Sequence, residues 1–188
     1  AFVAGSHHLG LHMLRIVMAL SLLVGAGFTC AEAQTDGRMK RIGDTKTVKI
    51  AHRTDATPYS FLNDKKEAVG YTIDLCKSIV ESMGRQLGAT LKIEWVPVTT
   101  QNRFQTIASG KADMECGSST ITLGRMKEVD FSSIVFIETT GLLVKSAAGF
   151  AKATDLAGKK IAVAANTTNE RALAEIIKQG KLTATLVP

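Results

Sequence analysis

Three arginines draw attention because of what precedes them. Arg103 follows Thr99 and Thr100 in VTTQNRFQTIASG, and Arg125 follows Ser118, Ser119 and Thr120 in SSTITLGRMKEVDF. In each stretch a threonine reads as a helix N-cap, Thr100 in the first and Thr122 in the second, with Leu123 as the first helical residue. Both arginines then fall in a first turn. The positive end of a helix favours acids there, and a cation costs about 0.3–1 kcal/mol. A bound carboxylate reverses that sign. It takes paired charge-assisted hydrogen bonds from a guanidinium and more from free backbone N–H groups and nearby hydroxyls. Arg53, in the loop after the first predicted strand, is a third candidate. The implied chemistry is anion capture. No catalytic group, cofactor or metal is expected. Each arginine also has a plain structural reading, turned to solvent or paired with an acid such as Glu128. Arg171, beside Glu170 near the start of a later helix, is read as a surface ion pair.

The elements that must position these groups alternate between strand and helix. Val48–Ala51 is β-rich and leads into a loop with Pro58 and a turn at Asn63-Asp64. Ile73, Cys76, Val80 and Met83, with Ile79 beside them, mark the apolar face of a helix ended by Gly84 and Gly88. Leu91, Ile93 and Trp95 alternate as in a strand. Phe104, Ile107 and Ala108 line a short helix capped by Gly110. KADMECGSS reads as a short strand, IVFIETTGLLVKS as β-rich, and DLAGKKIAVAAN as a turn and a buried strand. TTNERALAEIIKQG reads as an amphipathic helix, and TATLVP as the start of another strand. This order predicts an α/β fold with a mainly parallel sheet. In such sheets ligands lie at the carboxyl ends of the strands, where the arginine loops sit.

Composition narrows the class. With 188 residues, 45% hydrophobic and 21% charged, the chain suits one or two globular domains. MLRIVMALSLLVGAGFTCAEAQ reads as a signal peptide with cleavage after Ala33, its apolar run too short for a membrane span. His7 and His8 precede it and read as a chance pair. The leader's Arg15 and Glu32 cancel, so the formal net charge stays +6. Lysines and arginines are not clustered and aromatics are only 5%, which argues against nucleic acid. Cys76 and Cys116 are read first as buried free thiols, with a bridge between them, or from Cys116 to a residue beyond Pro188, as alternatives that export allows.

Three ordered blocks carry a family likeness: VGYTIDLCKSIV, SGKADMECGSSTITLGRMKEVDFSS and DLAGKKIAVAANTTNE. From about Thr47 onward the chain resembles the periplasmic solute-binding proteins of polar amino acid ABC transporters (family 3). TTQNRF and ECGSST look most like the glutamate/aspartate-binding members. The resemblance implies a periplasmic-binding-protein-like (type II) two-lobed fold, with residues 34–146 as lobe 1 and 147–188 as an incomplete lobe 2. It implies that Arg125 clamps a ligand α-carboxylate, supported by Ser118 and Thr120. Thr167 or Thr168 closes on that group from lobe 2, while Arg53 and Arg103 face the side-chain end, with Thr100 beside them. Members that take basic side chains carry an acid at the position of Arg53. Asn166 stands where glycine is common before the paired hydroxyls.

The function so implied is capture of L-glutamate or L-aspartate by hinge closure, in a monomer that delivers to a membrane ABC permease in the periplasm. Two rivals share the scaffold. One is a cyclohexadienyl dehydratase-like enzyme, with Glu115 as its candidate acid. The other is the sensor domain of a membrane receptor. Glu115, an acid in a strand expected to be buried, is read as a counter-charge for one of the arginines. His52 is read as structural.

Overall fold

The structure is a computed structural model that describes residues 37–188. The predicted leader, its cleavage site and the His7-His8 pair lie outside the described residues. Helix α1 (Gly37–Thr45) leads into β1 (Thr47–His52). A small antiparallel sheet follows, β2 (Asp55–Ala56), β3 (Ser60–Leu62) and β4 (Ala68–Val69), turning at Asn63. Then come α2 (Tyr71–Gln86), β5 (Lys92–Pro97), α3 (Arg103–Ala108) and β6 (Met114–Cys116). Last come β7 (Lys160–Ala162), α4 (Thr168–Gln179) and β8 (Thr185–Val187).

β1 is the middle strand of a parallel sheet ordered β5-β1-β6, with Val48 opposite Ile93 and Ala51 opposite Glu115. A strand covered on both faces reads as an apolar run, and Val48, Ile50 and Ala51 are fully buried. Side chains alternate between faces. Ala51 therefore packs toward α3, in a cluster with Val98, Ala112, Val96 and Ile107. On the other face α2 buries Ile73, Cys76 and Val80. Gly70 starts α2 at φ 125°, and a Cβ there would overlap the Tyr59 carbonyl, so only glycine fits. The predicted helix face holds at its centre, but Ile79 is exposed, and Gly84 lies buried within the helix rather than ending it.

Several expectations are corrected. Cys76 and Cys116 are joined in a disulfide, with Cα atoms 6.4 Å apart. Each thiol is on the buried face of its own element, and packing α2 on β6 brings the faces together. IVFIETTGLLVKS forms no strand: residues 134–145 have no regular structure. β-propensity reflects packing against neighbouring strands, and none pairs with this stretch among the described residues. Ile134, Ile137 and Leu143 are exposed as a result. β7 is not a buried strand. It is short, pairs with β8 alone, and only Ile161 is half-buried. The helix expected from Leu123 is a single 3-10 turn, Arg125–Lys127. Leu123 and Met126 are exposed, so no apolar face packs to extend it.

Candidate functional site

β6 ends beneath the loop that carries the predicted ligand hydroxyls. Cys116 faces α2, and alternation turns Glu115 to the opposite side, toward α3. Arg53 leaves the end of β1, Arg103 opens α3 and Arg125 opens the 3-10 turn. All three lie close enough to Glu115 to act on its charge. Burial raises the Glu115 pKa; the neighbouring Ser119 hydroxyl and then Arg103, Arg53 and Arg125 oppose that rise. Burial likewise lowers the pKa of Arg103, with Glu115 opposing and Arg125 and Arg53 adding to the drop. Arg125 is lowered by burial and then by Arg171, against Glu115 and Glu128. Three guanidinium groups thus act on the charge of one carboxyl.

Their local bonds differ. Arg53 donates from Nε and Nη2 to Asp55 Oδ1 at 3.0 and 2.7 Å, and only 8% of the residue is exposed. Arg103, 3% exposed, leaves its Nε without a hydrogen bond. Arg125 donates from Nη1 to the Thr120 carbonyl at 2.8 Å. The Phe104 ring faces both Arg103 and Arg125, with their Cζ atoms 5.0 and 4.7 Å from its centroid. Such contacts orient guanidinium planes without neutralising them. Phe104 and Asp55 were missed in the sequence. The one signal for Phe104 was its place beside Arg103, and it read as an ordinary core residue.

The helix-start argument is corrected in its cause. Asn102, not Thr100, stands at the N-cap of α3; its Oδ1 accepts from the Thr99 N–H at 2.8 Å. The buried Thr100 donates to Gln101 Oε1 at 3.0 Å. Thr122 does accept from the Arg125 N–H at 3.3 Å, but only one turn follows. A six-residue helix and a three-residue turn have little macrodipole, so tertiary placement rather than helix ends gathers these cations.

Ser118, Thr120 and Thr168 line a cavity of about 500 Å³, together with Tyr59, Phe131 and Phe136. Thr120 Oγ1 and Thr168 Oγ1 are 3.2 Å apart, which joins the two predicted hydroxyl sets. Thr167 is engaged elsewhere: its hydroxyl donates to the Ala164 carbonyl and accepts from the Glu170 N–H, capping α4. Asn166 takes φ 59°, the left-handed backbone that a family glycine would supply. Glu170 accepts from the Asn166 N–H, so its carboxylate closes the cap rather than pairing Arg171. The arginines do not line this cavity. A larger one, about 750 Å³, lies between α2 and β5 and holds none of the predicted residues. His52 is structural as expected: its Nδ1 lies 3.0 Å from the Arg53 carbonyl and its ring meets Trp95 edge-on.

The sequence profile of the bacterial extracellular solute-binding proteins, family 3, matches residues 48–186. The chain belongs to this family. Two family relatives are named for acidic amino acids. The glutamate/aspartate import solute-binding protein of Salmonella typhimurium is 32% identical over 171 residues, which is 89% of this chain and 55% of that protein. The L-glutamate/L-aspartate-binding protein of Pseudomonas aeruginosa is 36% identical over 159 residues, 82% of this chain and 53% of that protein. This family 3 chain therefore spans about half the length of the curated relatives it matches. Among solved structures, an ancestral amino acid-binding protein described as a precursor of cyclohexadienyl dehydratase superposes with a TM-score of 0.70 at 27% identity. The match covers 79% of this chain and 64% of that one. The fold is the type II periplasmic-binding-protein fold, represented here in part.

Proposed function

We propose that this family 3 chain captures L-glutamate or L-aspartate outside the cytoplasm and passes it to a membrane ABC permease. The observation that carries the reading is the excess of positive charge where Arg53, Arg103 and Arg125 act on the buried carboxyl of Glu115, with Asp55 bonded to Arg53 as the second acid, which suits a doubly anionic ligand. Arg125 takes the α-carboxylate, beside the hydroxyls of Ser118 and Thr120. Thr168 closes from the second lobe, because the Thr167 hydroxyl is spent on the helix cap. Arg53 and Arg103 hold the side-chain carboxylate, with Thr100 at the start of the same loop. Residues 34–146 make the first lobe, and the second begins at 147. The relatives' names, which specify glutamate and aspartate, support the same assignment.

Binding near micromolar would need about −8 kcal/mol, within reach of two carboxylates met by several charge-assisted hydrogen bonds at about 1.5–3 kcal/mol each, before desolvation and closure costs. The protein works as a monomer in the periplasm and is not an enzyme. The relatives are named as binding proteins, which supports binding over dehydratase chemistry at Glu115. Thermal-shift measurements test the reading. Glutamate and aspartate should raise the melting temperature, and glutamine, histidine and arginine much less. Stronger stabilisation by glutamine would overturn the side-chain assignment, and turnover of prephenate or arogenate would overturn the binding-only role.

A further inference from the structure

Glu115 does more than fill a gap between strands. Its Oε1 is sealed from solvent and accepts no hydrogen bond among the described residues; the buried Arg103 Nε donates none there, and the buried Ser119 Oγ has no partner. The carboxyl packs closely against the backbone of Gly117. A Cβ at Gly117 would overlap Glu115 Oε1 and would only touch Arg53 Cγ, at 3.5 Å. The charged groups facing the carboxyl are Arg53 from the end of β1, Arg103 from α3 and Arg125 from the 3-10 turn. Helix α2 lies on the opposite side of the sheet, where Cys76 is locked in the disulfide to Cys116. Among the described residues no histidine or second acid acts on its charge; Asp55 bonds Arg53 instead, and the His52 ring meets Trp95 edge-on.

The three cations that oppose the effect of burial on this carboxyl are the same three that the acidic-ligand reading assigns to the ligand. An arriving carboxylate competes for them and adds negative potential beside an already desolvated acid. We propose that Glu115 is a ligand-linked proton site: as a carboxylate it holds the arginine cluster together in the empty protein, and it takes up a proton when an anionic ligand occupies that cluster. This rests on the assignment of an acidic amino acid to the arginines. The step is a simple protonation, with the proton drawn from solvent. Its energetic logic is that a group whose charged form becomes costlier on binding binds protons more tightly in the complex.

Isothermal titration calorimetry with L-glutamate and L-aspartate, in buffers of differing ionisation enthalpy, reads the proton count directly. The expected result is net uptake of up to about one proton per ligand. Affinity should then weaken severalfold, at most about tenfold per unit, over part of the range between pH 5 and 8.5, where the ligand's own carboxylates stay ionised. Glu115→Gln should bind with a flat profile and no uptake, and Glu115→Asp should keep a pH dependence. Binding without proton uptake by the unaltered protein overturns the proposal without any variant, as does uptake retained in Glu115→Gln. Absence of any binding of either amino acid would instead defeat the ligand assignment itself, and this proposal with it.

Discussion

Arg125 is half-buried, tied to the Thr120 carbonyl and backed by the Phe104 ring, so its guanidinium is oriented before any ligand arrives. With Arg125 on the ligand α-carboxylate, as proposed, this preorganisation makes it the dominant contact. Arg125→Ala should cost about 2–3 kcal/mol, a loss of roughly a hundredfold in affinity for every amino acid tested, measured by calorimetry. Arg103→Ala or Arg53→Ala should act more selectively and lower the glutamate-over-glutamine ratio. If that ratio is unchanged, their assignment to the side-chain end is wrong. The paired threonines separate in the same way. Thr168→Ala should weaken ligand binding, whereas Thr167→Ala should chiefly cost about 1 kcal/mol of stability through its lost cap. Glu115 carries a sign for pH. Burial holds its folded pKa above the usual glutamate range. Its contribution to stability is therefore full below that range and is lost as pH rises through the raised value. The ligand-free melting temperature should show that decline, and Glu115→Gln should lack it.

At the level of elements, the disulfide is a covalent tether beside the pairing of β6 with β1. It fixes β6 to α2 across 40 residues of sequence, and β6 runs directly into Gly117–Thr120. Replacing both cysteines by serine should remove about 2–4 kcal/mol of stability in denaturant unfolding. It should also weaken ligand binding, because the loop that presents Ser118 and Thr120 loses its anchor. The helices flanking the sheet were legible from spacing, since Ile73, Cys76 and Val80 sit on one face whatever they pack against. The 3-10 turn at Arg125 was not. Leu123 and Met126 look like helix-face residues until the fold leaves nothing against them. The stretch 134–145 misled in the same direction, because strand propensity states what a residue tolerates and not whether a partner strand is present.

Over the whole molecule, a net charge of +6 and the arginine cluster give an attractive field for small anions. Capture of glutamate should slow severalfold as ionic strength rises through about 0.1 M, where the Debye length falls to about 10 Å. Stopped-flow rates for zwitterionic glutamine should change far less. Equal salt dependence for the two ligands would show that the field does not steer capture. At this scale Phe104 also takes its meaning. In its own helix it is an apolar residue; in the fold it backs two cations from different segments.

The amino-acid sequence by itself determined the alternation of strands and helices, the family blocks, and the identity of the arginines and hydroxyls, because periodicity and residue chemistry are local properties. It also marked Glu115 as anomalous and Asn166 as the residue able to take a left-handed backbone. Only the tertiary structure decided that Cys76 and Cys116 are bonded and that Thr167 caps while Thr168 meets Thr120. It alone decided that Arg53, Arg103 and Arg125, from three separate segments, all act on one carboxyl. Those facts depend on which faces pack together through the sheet, and distances between segments far apart in the chain are set by that packing, not by spacing along it.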